Sequence, residues 1–315
     1  MHFRLLFLIL VPLWMTACFA PKTPEVPVWV AEAPIADDAA FYGVSVAATY
    51  DEAVASATTN IGAHVFASAE PRLQTGEGDE ALRRRIVSQM KTLLRDADFP
   101  DVTVKEHAAM DEKTAVMVQM PRKGYAAQLA SRLRTQSDAI ENAFASSANA
   151  PLFFRLGIRG KAYEERALLL AESVLLSTAD PAADTAGIHA LVRTIASDYN
   201  TLKFGTDIGI ISDAGAIVYV DTMKKAFRAE GIGTAGSAAG TLLLYADSQQ
   251  EHSGGSYHVK TRLRLVSTVD GKPVAQSERY LAARSDEGYS DAREQTAEAL
   301  ARIIKEEGLF HTLGF

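Results

Sequence analysis

One cysteine, Cys18, is present in 315 residues. A single thiol cannot close an intramolecular disulfide or build a thiolate zinc site. After residue 18 no apolar run approaches the roughly 18 residues that a spanning helix needs. No long polybasic run is present to hold the chain on anionic lipid. The formal charge is −7, and Arg4 is the only full charge in residues 1–17, so the rest of the chain is more acidic still. Such a balance repels phosphate backbones and argues against general nucleic-acid binding. Gly-x-Ser-x-Gly, His-Glu-x-x-His and Lys-Thr-Gly are all missing, so nucleophilic and zinc-dependent hydrolysis by the familiar routes have no support. With 48% hydrophobic residues the chain has ample material for packed cores, and its length favours two domains.

The first residues read MHFRLLFLILVPLWMTAC. His2 and Arg4 form a short basic start, and Leu5 to Trp14 form an apolar stretch too short to span about 30 Å of hydrocarbon. Thr16 and Ala17 then precede Cys18. This resembles the bacterial lipobox, with Met15 where Leu is usual, in which the cysteine is lipidated and becomes the first mature residue. The bland alternative is a plain signal peptide with a chance cysteine; the sole cysteine falling at the motif's position favours lipidation. Residues 1–17 are therefore expected to be a signal peptide, and Cys18 a lipid anchor. Phe19 follows where an inner-membrane retention signal would have Asp, so the periplasmic face of the outer membrane is the expected location. Pro21, Pro24, Pro27 and Pro34 then predict an extended tether over 18–34.

The remaining periodicities predict an α+β chain: two small α/β domains with antiparallel sheets flanking a helical middle segment. Within 35–121, Phe41–Ala47 reads as a strand. Thr49 and Glu52 have capping-box spacing, so a helix should begin near Tyr50. Ala53, Ala57, Ile61 and Val65 give it an apolar stripe, and Pro71, Gly76 and Gly78 should break it. A second helix is expected over roughly 79–97, then strands Val102–Glu106 and Thr114–Met120 joined at Asp111-Glu112-Lys113. Residues 122–200 are helical in pattern, with stops at Asn149-Ala150-Pro151 and Asp180-Pro181, and should form a stalk or bundle between the two domains. Residues 201–315 read β-α-β-β-β-α. Tyr257–Val269 alternates most cleanly, and Asp270-Gly271 is a hairpin turn.

The opening Pro27-x-Trp29, then Tyr42-Gly43-Val44, an Ala-rich helix and a close near Val118–Arg122 together resemble the LPP-twenty lipoprotein family, which shares a "P-x-W … Y-x-V-G" opening. Here Gly43 precedes Val44 instead of following it. The resemblance covers about 95 residues of the chain. It implies an outer-membrane lipoprotein without enzymatic activity, some of whose relatives serve flagellar ring or outer-membrane assembly. The family brings no catalytic residues. The C-terminal element order is also similar to small domains of periplasmic lipoproteins that build secretion channels or activate peptidoglycan synthases, a fold analogy alone.

Several local patterns resemble chemistry and have plainer readings. Gly231-x-Gly233-x-x-Gly236 matches a dinucleotide fingerprint as text, but a helix precedes it and a strand follows, the reverse of what pyrophosphate binding needs. Ser88-x-x-Lys91 lies on an amphipathic helix without its partner motifs. Glu251, His252 and His258 surround a Gly254-Gly255 loop; a polar loop tip explains them as well as a metal does. Lys260, Arg262 and Arg264 line one face of a strand. They could meet an acidic partner, a phosphate or a carboxylate-rich glycan, or form an ordinary solvent face. The ending, with Phe310 and Phe315, either packs onto the last helix or docks on a partner.

The sequence thus predicts a lipid-anchored, non-catalytic envelope protein, with no cofactor and no metal. Its expected partners are membrane lipid through Cys18 and envelope or flagellar proteins, with oligomer formation left open. The leading expected role is assembly or stabilisation of an outer-membrane or flagellar structure. The alternatives are a periplasmic regulator of a peptidoglycan synthase or secretion channel, and a hydrolase with an unrecognised site.

Overall fold

The computed structural model describes residues 26–74, 80–234 and 239–315. Cys18, the signal peptide and the first part of the expected tether lie outside the described residues, as does Gly236. The chain divides into two compact units: Met1–Pro71 with Thr92–Ala126, and Arg72–Lys91 with Ala127–Phe315.

The first unit is built on a three-stranded antiparallel sheet of order β1-β3-β2, made of β1 (Ala40–Ala47), β2 (Thr103–Met110) and β3 (Lys113–Pro121). The two outer strands pair with β3 through Ala40↔Pro121 and Thr103↔Gln119, with a bulge between Val104 and Glu106. Asp111 takes φ 53° in the tight β2–β3 turn, the left-handed region that Asp tolerates better than most residues. Helix α2 (Tyr50–Gln74) follows β1. Its capping box closes as expected: the Glu52 amide donates to the Thr49 hydroxyl and the Thr49 amide to the Glu52 carboxylate, each at 3.3 Å. Ala53, Ala57, Ile61 and Val65 are fully buried, and Ala69 extends the stripe. Two polar side chains of α2 stitch it to β1. Asn60 donates to the Val44 carbonyl at 2.9 Å, and His64 Nδ1 meets the Tyr42 carbonyl at 2.5 Å.

Two expectations change in this unit. Helix α2 runs through Pro71 to Gln74, because a proline near a helix end removes one hydrogen bond while its fixed φ still suits the helix. The expected tether is also not extended throughout. Its described part carries the short helix α1 (Val28–Ala31), and Trp29 packs against a buried cluster of Ala40, Tyr42 and Met117.

The second unit contains a four-stranded sheet of order β4-β5-β6-β7: β4 (Gly209–Ser212), β5 (Thr241–Ser253), β6 (Ser256–Val269) and β7 (Lys272–Ser285). The short β4 runs parallel to β5, and the other pairs are antiparallel. The parallel pair follows from a crossover through α7 (Val220–Ala229), since parallel neighbours need a long connection. Asp270 and Gly271 both take positive φ, 49° and 74°, the two-residue turn whose twist matches a hairpin. Helices α5 (Leu152–Ala179), α6 (Ala186–Lys203), α8 (Tyr289–Glu307) and α9 (Leu309–Thr312) complete the core. Phe153 and Leu156 of α5 and Tyr199 of α6 belong to the same buried cluster as Leu244, Leu263 and Leu281 of the sheet. Helices α5 and α6 of the helical stretch thus contribute side chains to the core beneath the sheet. Helices α3 (Glu80–Arg95) and α4 (Arg122–Ser146) are each divided by the boundary between the units. No described helix is long and apolar enough to cross a membrane.

Candidate functional site

Alternation along β6 buries Val259, Thr261, Leu263 and Leu265 and leaves Lys260, Arg262 and Arg264 exposed on the opposite face. Register sets their neighbours. Arg262 lies opposite Asp247 on β5 and Tyr280 on β7, Lys260 opposite Gln249 and Ala282, and Arg264 opposite Tyr245 and Glu278. Arg262 grips the Glu278 carboxylate with two hydrogen bonds, Nη2 at 2.7 Å and Nε at 3.1 Å, which holds that carboxyl below its usual range. The Arg264 guanidinium lies 4.6 Å from the centre of the Tyr245 ring. Lys260 has no ion-pair partner among the described residues. Tyr280 is 76% exposed, and Ile211 on β4 is 60% exposed. Asp247, Gln249, Lys260, Arg262, Tyr280 and Ala282 line a shallow hollow of about 430 Å³. The basic row was legible in the sequence. Tyr245 and Tyr280 were missed, although their alternate positions on strands flanking β6 were a usable signal.

Phe310 and Phe315 are placed differently from a docking tail. Phe310 is fully buried, and a Cβ added at Gly160 of α5 would come within 2.0 Å of its ring. Phe315 rests on Gly157, with ring centres 5.9 Å from Phe153 and 6.3 Å from Phe310. The glycines let the helix backbone approach two aromatic rings, so the C-terminus is a core element and Phe310 offers no surface to a partner.

The tail is held by Glu164 of α5. One carboxylate oxygen accepts the Phe310 amide at 3.0 Å and the other the His311 amide at 3.3 Å. Burial pushes the Glu164 carboxyl up to about 7 against these two amides, with a smaller upward push from nearby Glu230. Tyr199 donates its hydroxyl proton to Glu230 at 2.8 Å, and burial followed by the Glu230 charge raises the phenol further. Two clefts of about 490 and 450 Å³ flank Glu164, with Arg85 and Lys305 at both and Glu230 in the larger. Ser88 lines the smaller one. With each of its oxygens committed to a backbone amide, Glu164 acts as a clasp for the tail.

The remaining patterns fall as follows. Glu251 lies opposite His258 in the β5–β6 hairpin, while His252 stacks on Tyr257 at 4.5 Å. No group of three His, Cys, Asp or Glu residues able to hold a metal occurs among the described residues. Gly231 and Gly233 follow α7 and precede β5, and a Cβ on Gly233 would strike Asp207 Oδ1 at 1.7 Å, so close packing explains that glycine.

No protein-family model matches the sequence, and no curated protein matches it. Among solved structures, a minor lipoprotein from Acinetobacter baumannii is similar over 32% of this chain and 93% of its own, at 9% identity and a TM-score of 0.25. The secreted protein HP1454 from Helicobacter pylori is similar over 83% of this chain and 96% of its own, at 12% identity and a TM-score of 0.36. Likeness at this level transfers no activity, substrate or partner.

Proposed function

We propose that this chain is a lipid-anchored, non-catalytic envelope protein that works by contact, with the outer face of its four-stranded sheet as the contact surface. Lipid on Cys18 fixes it to the outer membrane, on the periplasmic side, and the sheet face meets the partner. One observation carries the reading. A sheet whose inner face is closed by a large apolar core presents Tyr280 to solvent beside Lys260, Arg262 and Arg264, with Ile211 exposed on the far edge strand. Aromatic and arginine side chains together are the usual make-up of contact surfaces.

The LPP-twenty resemblance belongs to this proposal. It is supported by the placement of its opening residues, since Trp29 and Val44 both pack against the cluster that contains Tyr42. The leading role remains assembly or stabilisation of an outer-membrane or flagellar structure, with regulation of a cell-wall synthase as the alternative.

The test places a photo-cross-linking residue at Ile211 or Gln249 in cells, with Cys18→Ala as the control. Adducts with envelope or flagellar ring proteins, lost in the control, are the expected result. An adduct with a glycan synthase favours the alternative role. Equal adduct patterns with and without Cys18 would overturn placement by lipid.

A further inference from the structure

We propose that the hollow around Tyr280 and Lys260 binds a polysaccharide strand bearing carboxylates, so that the contact surface just described meets cell-wall-type glycan directly. This rests on the reading of that face as the contact surface.

Ala282 is the small residue in its row, opposite Lys260, and it leaves a depression beside the exposed Tyr280 ring. A flat ring open to solvent is a platform for the C–H face of a sugar, because the ring's negative π-face attracts polarised hydrogens. Asp247 and Gln249 stand exposed on the neighbouring strand and lie opposite Arg262 and Lys260. They provide acceptors and donors for ring hydroxyls.

Charge complementarity selects the anionic member of the sugar class. Lys260 brings an ammonium with no ion-pair partner among the described residues. Arg262 uses Nε and Nη2 to hold Glu278, which leaves the Nη1 edge of the guanidinium for a ligand. A carboxylate lying over the Tyr280 row would meet both cations. Four of the side chains that line the hollow, Asp247, Gln249, Lys260 and Arg262, are charged or carry an amide, which suits a hydroxylated, charged ligand better than an acyl chain.

The experiment uses the full chain in detergent, titrated with polygalacturonate oligomers, with uncharged dextran of equal length, and with phosphatidylcholine vesicles containing phosphatidylglycerol. Polygalacturonate should bind, weakened by added salt, and dextran should bind far less. Tyr280→Ala should weaken binding about tenfold, which is about 1.4 kcal/mol, and Tyr280→Phe should retain it. Lys260→Gln should weaken binding and flatten its salt dependence. These exposed positions leave the core intact, so loss of binding is not loss of folding. Unchanged binding in both Tyr280→Ala and Lys260→Gln, equal binding of dextran, or binding to the vesicles alone would overturn the proposal. If polygalacturonate fails while the cross-linker at Gln249 captures an envelope protein, the contact surface stands and the glycan assignment falls. If both fail, the surface reading falls with it.

Discussion

At the scale of single residues, two positions have consequences that their neighbours in sequence do not announce. A Cβ at Gly43 would come 1.9 Å from the Ala57 carbonyl oxygen, so this strand and helix approach as closely as backbone allows. Gly43→Ala should destabilise the first unit by about 1–3 kcal/mol, as overpacking does, read as a lower urea midpoint. Glu164 has a folded-state pKa of about 7 against an ordinary 4.5. A carboxyl raised on folding favours the neutral native form, so its contribution is fully present below pH 4.5 and is lost as pH rises through 7. The loss amounts to about 3 kcal/mol at most. Glu164→Gln removes the titration and keeps one acceptor oxygen, as the neutral carboxyl does. The variant should therefore be about as stable as wild type at pH 5 and more stable than it at pH 8. Parallel pH profiles for the two proteins would show that Glu164 is not the titrating group.

At the scale of elements, the C-terminal tail carries more weight than its four-residue helix suggests. Beyond the Glu164 clasp, Ser277 donates to the Thr312 carbonyl at 2.5 Å and Arg279 to the His311 carbonyl at 3.1 Å, so helix α5 and strand β7 both hold it. Phe310→Ala should cost about 3–5 kcal/mol, the usual loss for a buried phenylalanine, whereas an exposed tail would lose almost nothing. Thermal unfolding followed by near-ultraviolet dichroism distinguishes the two. Most elements were legible from period and turn chemistry: the capping box at Thr49 and Glu52, the stripe along α2, and the Asp270-Gly271 turn are short-range signals. The continuation of α2 through Pro71 was not, because a breaker's cost depends on where in the helix it falls. The direction of β4 was also hidden, since pairing partners are chosen across the chain.

At the scale of the whole molecule, the proposed function turns on placement. Cys18→Ala should move the protein from the membrane fraction to the soluble fraction after osmotic shock, because one short apolar segment without lipid gives no lasting anchor. Retention in the membrane with the thiol removed would refute the lipid anchor. The same variant separates contact from location: its sheet face is unaltered, so binding by the purified protein should be unchanged while capture of neighbours in the cell is lost.

The sequence alone determined what depends on neighbours along the chain: the α+β content, the strand faces, the turns, and the alternation that leaves Lys260, Arg262 and Arg264 on one exposed row. It also carried the stretch ending at Cys18 that resembles a lipoprotein export signal. Tertiary structure decided what depends on distant residues meeting. It joined Phe153, Leu156 and Tyr199 to the sheet's core, buried Phe310 against Gly160, and brought the Glu164 carboxylate to amides nearly 150 residues away. It set Tyr280 and Ala282 beside the basic row through strand register. Local propensity reads hydrogen bonds and periods within a few residues, whereas burial and side-chain partnership are fixed only when elements pack.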